Sequence, residues 1–168
     1  FDRQLGRLDR RVRTDVELLG AALEHSVTDR ARALVGLREA LELVRGRPFD
    51  VPGSYEWAYS ELHVAHAERL VVDAAHRLAE TALESGDCKL AVWATTRGLS
   101  GAPGNEVLYQ DRMRAFHGAG NPRGLEAAMQ DLLASLGAVE PEGALQPDTI
   151  ALYEELRATR PATLESRP

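Results

Sequence analysis

The stretch that decides the fold runs from Val72 to Pro122, VDAAHRLAETALESGDCKLAVWATTRGLSGAPGNEVLYQDRMRAFHGAGNP. Apolar residues recur through it at three- and four-residue spacings, the period of an amphipathic helix. The pattern breaks at Gly86-Asp87, before Asn105 and at Gly120-Asn121-Pro122. Each break joins a helix stop to a helix start. Gly tolerates the left-handed conformation of a helix end, Asp and Asn accept from unpaired N–H groups at a start, and Pro fits the first helical position. One helix is therefore expected after Asp87, with Leu90, Trp93, Ala94 and Leu99. A second runs from Asn105 through Phe116, and a third carries Leu125, Ala128, Met129, Leu132, Leu133 and Leu136.

The same signals extend outward. Thr14-Asp15-Val16-Glu17 fits a reciprocal capping box, with Val16, Leu19 and Leu23 on one face of the helix it opens. Thr28-Asp29 opens another helix carrying Leu34, Leu37, Leu41 and Val44, closed by Arg45-Gly46-Arg47-Pro48. Pro52-Gly53-Ser54 is a break. From Tyr55 to Ser85 no Gly or Pro intervenes, which reads as one long helix or two with a kink. Residues 137–147 form a loop, a last helix spans about Asp148 to Ala158, and residues 159–168 are expected to be a loose tail. No convincing strand follows residue 13.

Gly86 and Gly120 stand 34 residues apart, the tetratricopeptide period. A frame beginning at Val72 places Ala79, Gly86, Ala91, Gly98 and Pro103 at repeat positions 8, 15, 20, 27 and 32, where that repeat takes small residues and Pro. The physical reason is close helix crossing, toward the lower end of the roughly 8–10 Å interaxial range. A frame at Glu106 keeps Gly120 and puts Met113, Leu125 and Leu132 at positions 8, 20 and 27, and a frame at Thr14 puts Ala21, Ala33 and Ala40 there. The expected fold is all-α, built of tetratricopeptide-like helical hairpins. About three pairs are expected, with an inserted helix at 48–71 and a C-terminal helix.

Charge and chemistry narrow the function. The net charge is −6, a poor surface for the DNA backbone. Residues 1–13 carry five Arg against Asp2 and Asp9, a local +3 that leaves −9 for the rest. Cys88 is the single cysteine, so no internal disulfide and no cysteine-based zinc site can form, and a reducing, cytoplasmic compartment is expected. No apolar run reaches the ~18 residues of a membrane span, and no membrane contact is expected of this segment. His63 and His66 share a helix face, but zinc needs three or four convergent ligands. His76 lies ten residues beyond His66, about 15 Å along a helix. No phosphate-binding glycine loop or nucleophile elbow is present. No catalytic residue, metal or cofactor is expected. Trp57, Trp93, Tyr55, Tyr59 and Tyr109 are expected mainly to pack between helices.

The segment from Ala40 to Leu156 resembles the bacterial transcriptional activator domain, BTAD, of Streptomyces antibiotic regulatory proteins and related actinobacterial regulators. Residues 40–49, ALELVRGRPF, resemble the family's "AL-x-LWRG-x-PL" signature, with Val44 where Trp is usual. Trp57-Ala58 with Glu61-Leu62, the run from Glu68 to Gly86, Arg114 to Asn121, and Leu136 to Pro141 resemble later features in order. The family's "HPLRE" turn is reduced to residues 102–106, and Ala127 lacks its accompanying Tyr, so the chain resembles a divergent member. Residues 5–16 resemble the junction between the family's DNA-binding domain and its first BTAD helix.

The resemblance implies three segments: a junction at 1–13 after an upstream winged helix lying before Phe1, a helical domain at 14–158, and the tail. It implies a non-catalytic regulatory domain that relays signal or self-association to that winged helix. Its partners would be proteins, including a second copy in a homodimer, with DNA reached only through the other domain. A generic tetratricopeptide adaptor for a peptide or partner protein is the alternative. In such repeats the first helix of each pair lines the concave surface, here through Asp73, His76, Glu80 and Leu83, then Val107, Gln110, Arg114 and His117.

Overall fold

The computed structural model describes residues 12–26, 30–50 and 62–159, and these residues form helices without a strand. In chain order the helices are α1 (Asp15–Ser26), α2 (Arg30–Glu42), α3 (His63–Glu84), α4 (Cys88–Gly101), α5 (Glu106–Gly118), α6 (Pro122–Ser135) and α7 (Pro147–Ala158). α1 packs on α2, α3 on α4 and α5 on α6, so the described helices form three hairpins with α7 added. Within the stack α3 touches α1, α2 and α5 as well as α4, and α7 lies against α5 and, less extensively, α6.

Local chemistry sets the boundaries. Thr14 and Glu17 form the capping box. The Glu17 N–H donates to Thr14 Oγ1 at 3.2 Å, and the Thr14 N–H donates to Glu17 Oε2 at 2.8 Å. Asp87 caps α4 through the Leu90 N–H at 3.0 Å, Asn105 caps α5 through Leu108 at 3.2 Å, and Asn121 caps α6 through Gly124 at 3.0 Å. The two glycines of the repeat end their helices alike. Gly86 has φ +77° and Gly120 φ +64°. The following N–H reaches back to the last turn, Asp87 to Ala82 O at 2.8 Å and Asn121 to Phe116 O at 2.9 Å.

The core is a run of small and branched residues shared by all three hairpins. Ala74, Ala75, Leu78, Ala79 and Ala82 of α3 meet Ala91 and Ala94 of α4, all fully buried. Leu108, Met113 and Ala115 of α5 and Leu132 of α6 extend it, and Leu19, Leu37, Leu41 and Val44 join the first hairpin to it. Small residues set the helix separation. A Cβ on Gly98 would lie 2.5 Å from Ala75 Cβ and 2.6 Å from Leu108 Cδ1. Tyr109 is buried, and Trp93 is half-buried against the core with the Arg38 and Arg97 guanidiniums 5.5 and 5.8 Å from its ring.

The structure corrects one boundary. Leu62 takes a left-handed conformation, φ 61°, so no helix passes unbroken from Tyr55 to Ser85. α3 begins at His63, and residues 63–71 are its first turns instead of part of a separate inserted helix. The reason is burial: Val64, Ala67 and Val71 lie on the same stripe as Ala74 and Leu78. Residues 48–50 form a turn and not a helix, and residues 51–61, with Tyr55, Trp57 and Tyr59, lie outside the described residues, as do Thr28-Asp29, most of 1–13 and most of the tail.

Candidate interaction surface

α3 and α5 are the first helices of the second and third hairpins and pack directly on each other. Capping and the buried stripes fix which faces turn inward, so the remaining polar positions are set in register. Asp73 lies beside Arg69 at 3.6 Å, and Glu80 beside Arg77 at 3.9 Å. Both pairs are exposed, within one helix, and worth a few tenths of a kcal/mol at most. Leu83 packs half-buried against the core, Val107 is exposed and His117 is half-buried.

Two of the expected residues meet, and a third group joins them. Asp111 is 3% exposed, and its two oxygens take one partner each. His76 Nδ1 on α3 stands 2.6 Å from Oδ2, and Arg114 Nη1 on α5 stands 3.2 Å from Oδ1. The carboxylate accepts from both and bridges the second and third hairpins. His76 and Arg114 keep 40% and 44% of their side-chain surface exposed. The hydrogen bond to Asp111 raises the His76 pKa above its usual value. Partial burial opposes the rise, the charges of Asp111 and Glu80 assist it, and Arg77 opposes it.

Gln110 is drawn elsewhere. Its amide donates to Thr149 Oγ1 on α7 at 2.9 Å, and the Thr149 hydroxyl donates to Glu106 Oε2 at 2.6 Å. Glu106 also accepts from the Gln146 N–H at 3.0 Å, which closes the N-terminus of α7 onto that of α5. At the other end Tyr153 donates to Glu126, which also pairs with Arg157 at 3.1 Å. Burial, then that hydrogen bond and the Glu126 charge, push the Tyr153 pKa up to about 12. α7 thus sits on α5 and α6 by polar contacts at both ends and by half-buried Ile150, Tyr153 and Leu156 against the core, with Thr149 its only buried residue. Thr149→Val is expected to cost about 1–2 kcal/mol, because it removes the hydroxyl from a dry contact and leaves Glu106 and Gln110 without it. Amide hydrogen exchange checks this: α7 should exchange about tenfold faster while α3 and α4 keep their protection.

Asp111, Glu106 and Thr149 are additions to the residues expected from sequence. Asp111 had a local signal. It stands three residues after buried Leu108 and four before buried Ala115, on the apolar stripe of α5, where a carboxylate needs a partner. Glu106 and Thr149 are 43 residues apart with the whole of α6 between them, and nothing local pairs them.

His63 and His66 are exposed at the start of α3. Among the described residues no three or more His, Cys, Asp or Glu side chains converge as metal ligands. Among them, too, no helix is long and apolar enough to cross a membrane.

A family model described as the bacterial transcriptional activator domain matches residues 10–157. No curated protein matches, and no solved structure matches.

Proposed function

Because the chain belongs to the bacterial transcriptional activator domain family, a family of transcription-regulating domains, we propose that it works without catalysis, by binding protein. In this reading it relays a signal, or its own self-association, to a winged-helix DNA-binding domain that precedes Phe1. Residues 1–13 are the junction, 14–158 the helical domain and 159–168 a tail. The setting is the cytoplasm of an actinobacterial regulator. The partner surface is the α3–α5 face with Asp73, His76, Glu80, Leu83, Val107, Gln110, Arg114 and His117.

The observation that carries this reading is the bridge from His76 and Arg114 to Asp111. It places partly exposed cationic groups where two hairpins meet, so a partner bound there would bear on how the hairpins are set against each other. The net charge of −6 supports a division of labour in which this domain leaves DNA to its neighbour. A mobility-shift assay at low salt is the test. The 168-residue chain is expected to leave operator DNA unshifted. In the full regulator, an α3–α5 face variant such as Glu80→Lys should change reporter transcription without changing operator affinity. Sequence-specific binding by the isolated chain would overturn the reading.

A further inference from the structure

The charges on the α3–α5 face do not cancel evenly. Asp73 is offset by Arg69 and Glu80 by Arg77, each within α3. What remains is the cluster of His76, Arg114 and Asp111, with one negative group, one permanent cation and one histidine that becomes cationic on protonation. The single carboxylate is 3% exposed and lies beneath its partners, whereas both cationic side chains reach solvent. A ligand arriving at the cluster therefore meets donors and not the buried acceptor, and the nearest exposed carboxylate, Glu80, is paired with Arg77.

The donors also have capacity to spare. Asp111 engages His76 through Nδ1 and Arg114 through Nη1. Among the described residues no hydrogen bond engages His76 Nε2 or the remaining N–H groups of Arg114. The buried carboxylate fixes both side chains from below, which lowers the cost of ordering them when a ligand binds. Two oriented charged donors suit a carboxylate, whose oxygens accept and whose charge complements the cluster. A cationic segment would meet two like charges and no exposed carboxylate in the cluster.

We propose that the α3–α5 face docks an acidic partner segment, a carboxylate of which is held between His76 and Arg114, and that the protonation of His76 strengthens this docking. The proposal rests on the reading of this face as the interaction surface. The groups around His76 define its titration. Asp111 and, through it, Arg114 face it from α5, and Glu80 and Arg77 from its own helix. No titratable group of α1, α2 or α4, which pack on the other flanks of α3, contributes to its environment among the described residues. At acid pH the cluster carries a net positive charge. As pH rises through the His76 titration that surplus is lost, and the affinity falls with it.

The test uses the whole isotope-labelled chain and three peptides of equal length, rich in Glu, Gln or Lys. At about pH 6 the Glu-rich peptide is expected to shift α3 and α5 amide signals and the His76 ring signals. At about pH 8 its affinity should be roughly twofold to fivefold weaker, the scale of one partly exposed charge pair. His76→Gln should remove that pH dependence. Arg114→Gln, whose amide still reaches toward Asp111 and whose folding is checked by circular dichroism, should weaken binding at both pH values, and added salt should weaken it further. Equal shifts from the Gln- or Lys-rich peptide would overturn the charge assignment and leave the face as an interaction surface. Glu-peptide shifts elsewhere, shifts indifferent to His76 and Arg114, or no shift with any peptide would overturn the proposal.

Discussion

Replacing Gly98 by valine is expected to destabilise the fold by about 3 kcal/mol or more, the upper end of the range for overpacked cores. The cause is a rigid contact. The first added carbon would lie 2.5 Å from Ala75 Cβ on α3 and 2.6 Å from Leu108 Cδ1 on α5. Leu108 has rotamers to move through, although it is fully buried. Ala75 has none, so relief requires the α3 and α4 backbones to separate. That separation opens the gap at Leu78, Ala79, Ala91 and Ala94, all of them fully buried. Against a total stability of roughly 5–15 kcal/mol, the loss is a large fraction. At about 2–4 °C per kcal/mol for a chain of this size, the melting midpoint should fall by roughly 10 °C. Gly36→Ala in α2 is the control. A Cβ there meets nothing within 4 Å, and the position is helical, so stability should rise by about 0.5–1 kcal/mol. Thermal and urea unfolding followed by circular dichroism read both. A Gly98→Val chain that melts with the native one would mean that α3 and α4 do not cross as closely as described.

Gly98 is also where the sequence was most informative. Its place in a 34-residue frame shared with Gly86 and Gly120 marks a close helix crossing. A crossing is a local demand that only Gly or Ala can meet. The caps were legible for the same reason. Thr14, Asp87, Asn105 and Asn121 each satisfy an N–H within three residues, so cause and signal lie side by side. Leu62 is the opposite case. Its left-handed backbone is unfavourable for a branched side chain, and no neighbouring Gly, Pro or Asn announces it. The start of α3 is decided by burial of Val64, Ala67 and Val71 against other helices. One of those contacts is visible at Gly101, where an added Cβ would meet Val71 Cγ1 at 3.0 Å and Val44 Cγ1 at 3.1 Å. A frame anchored at Val72 by its small residues cannot register a packing partner in another hairpin.

The surface followed the same division. Repeat positions nominated residues on α3 and α5, which the fold does pack together. They gave no account of which residues would engage each other. Asp73 and Glu80 satisfy themselves along α3, Gln110 is captured by α7, and only His76 and Arg114 converge. The convergence depends on Asp111, whose neighbours in sequence are helical and whose partner His76 is 35 residues away. A pattern that sorts positions into buried or solvated has no place for a carboxylate that is buried because two exposed cations cover it.

Asp111→Ala is accordingly expected to be the costliest polar substitution, at about 2–3 kcal/mol near neutral pH. Breaking a fully buried ion pair costs about 3–5 kcal/mol because the abandoned charge stays buried. Here His76 and Arg114 are 40% and 44% exposed and regain water when Asp111 is lost, which brings the figure down. The void left beneath them and the lost bridge between hairpins keep it well above a surface pair. The dependence on pH separates the two partners. His76 titrates higher in the folded chain than in the unfolded one, where it takes the usual value near 6.5. The folded state therefore binds the proton more tightly. Its contribution is fully present below the unfolded value and is lost as pH rises through the raised folded value. The Arg114 bridge to Asp111 does not depend on the histidine's proton, so it survives. Urea unfolding on both sides of that window should show the native chain losing stability as the medium becomes alkaline. His76→Gln should flatten the curve while keeping the Arg114 bridge. Asp111→Asn should flatten it too, but from a lower starting point, since both bridges lose their charge. Should the native curve and the His76→Gln curve run parallel through the window, the histidine would not be the proton-binding link between the hairpins.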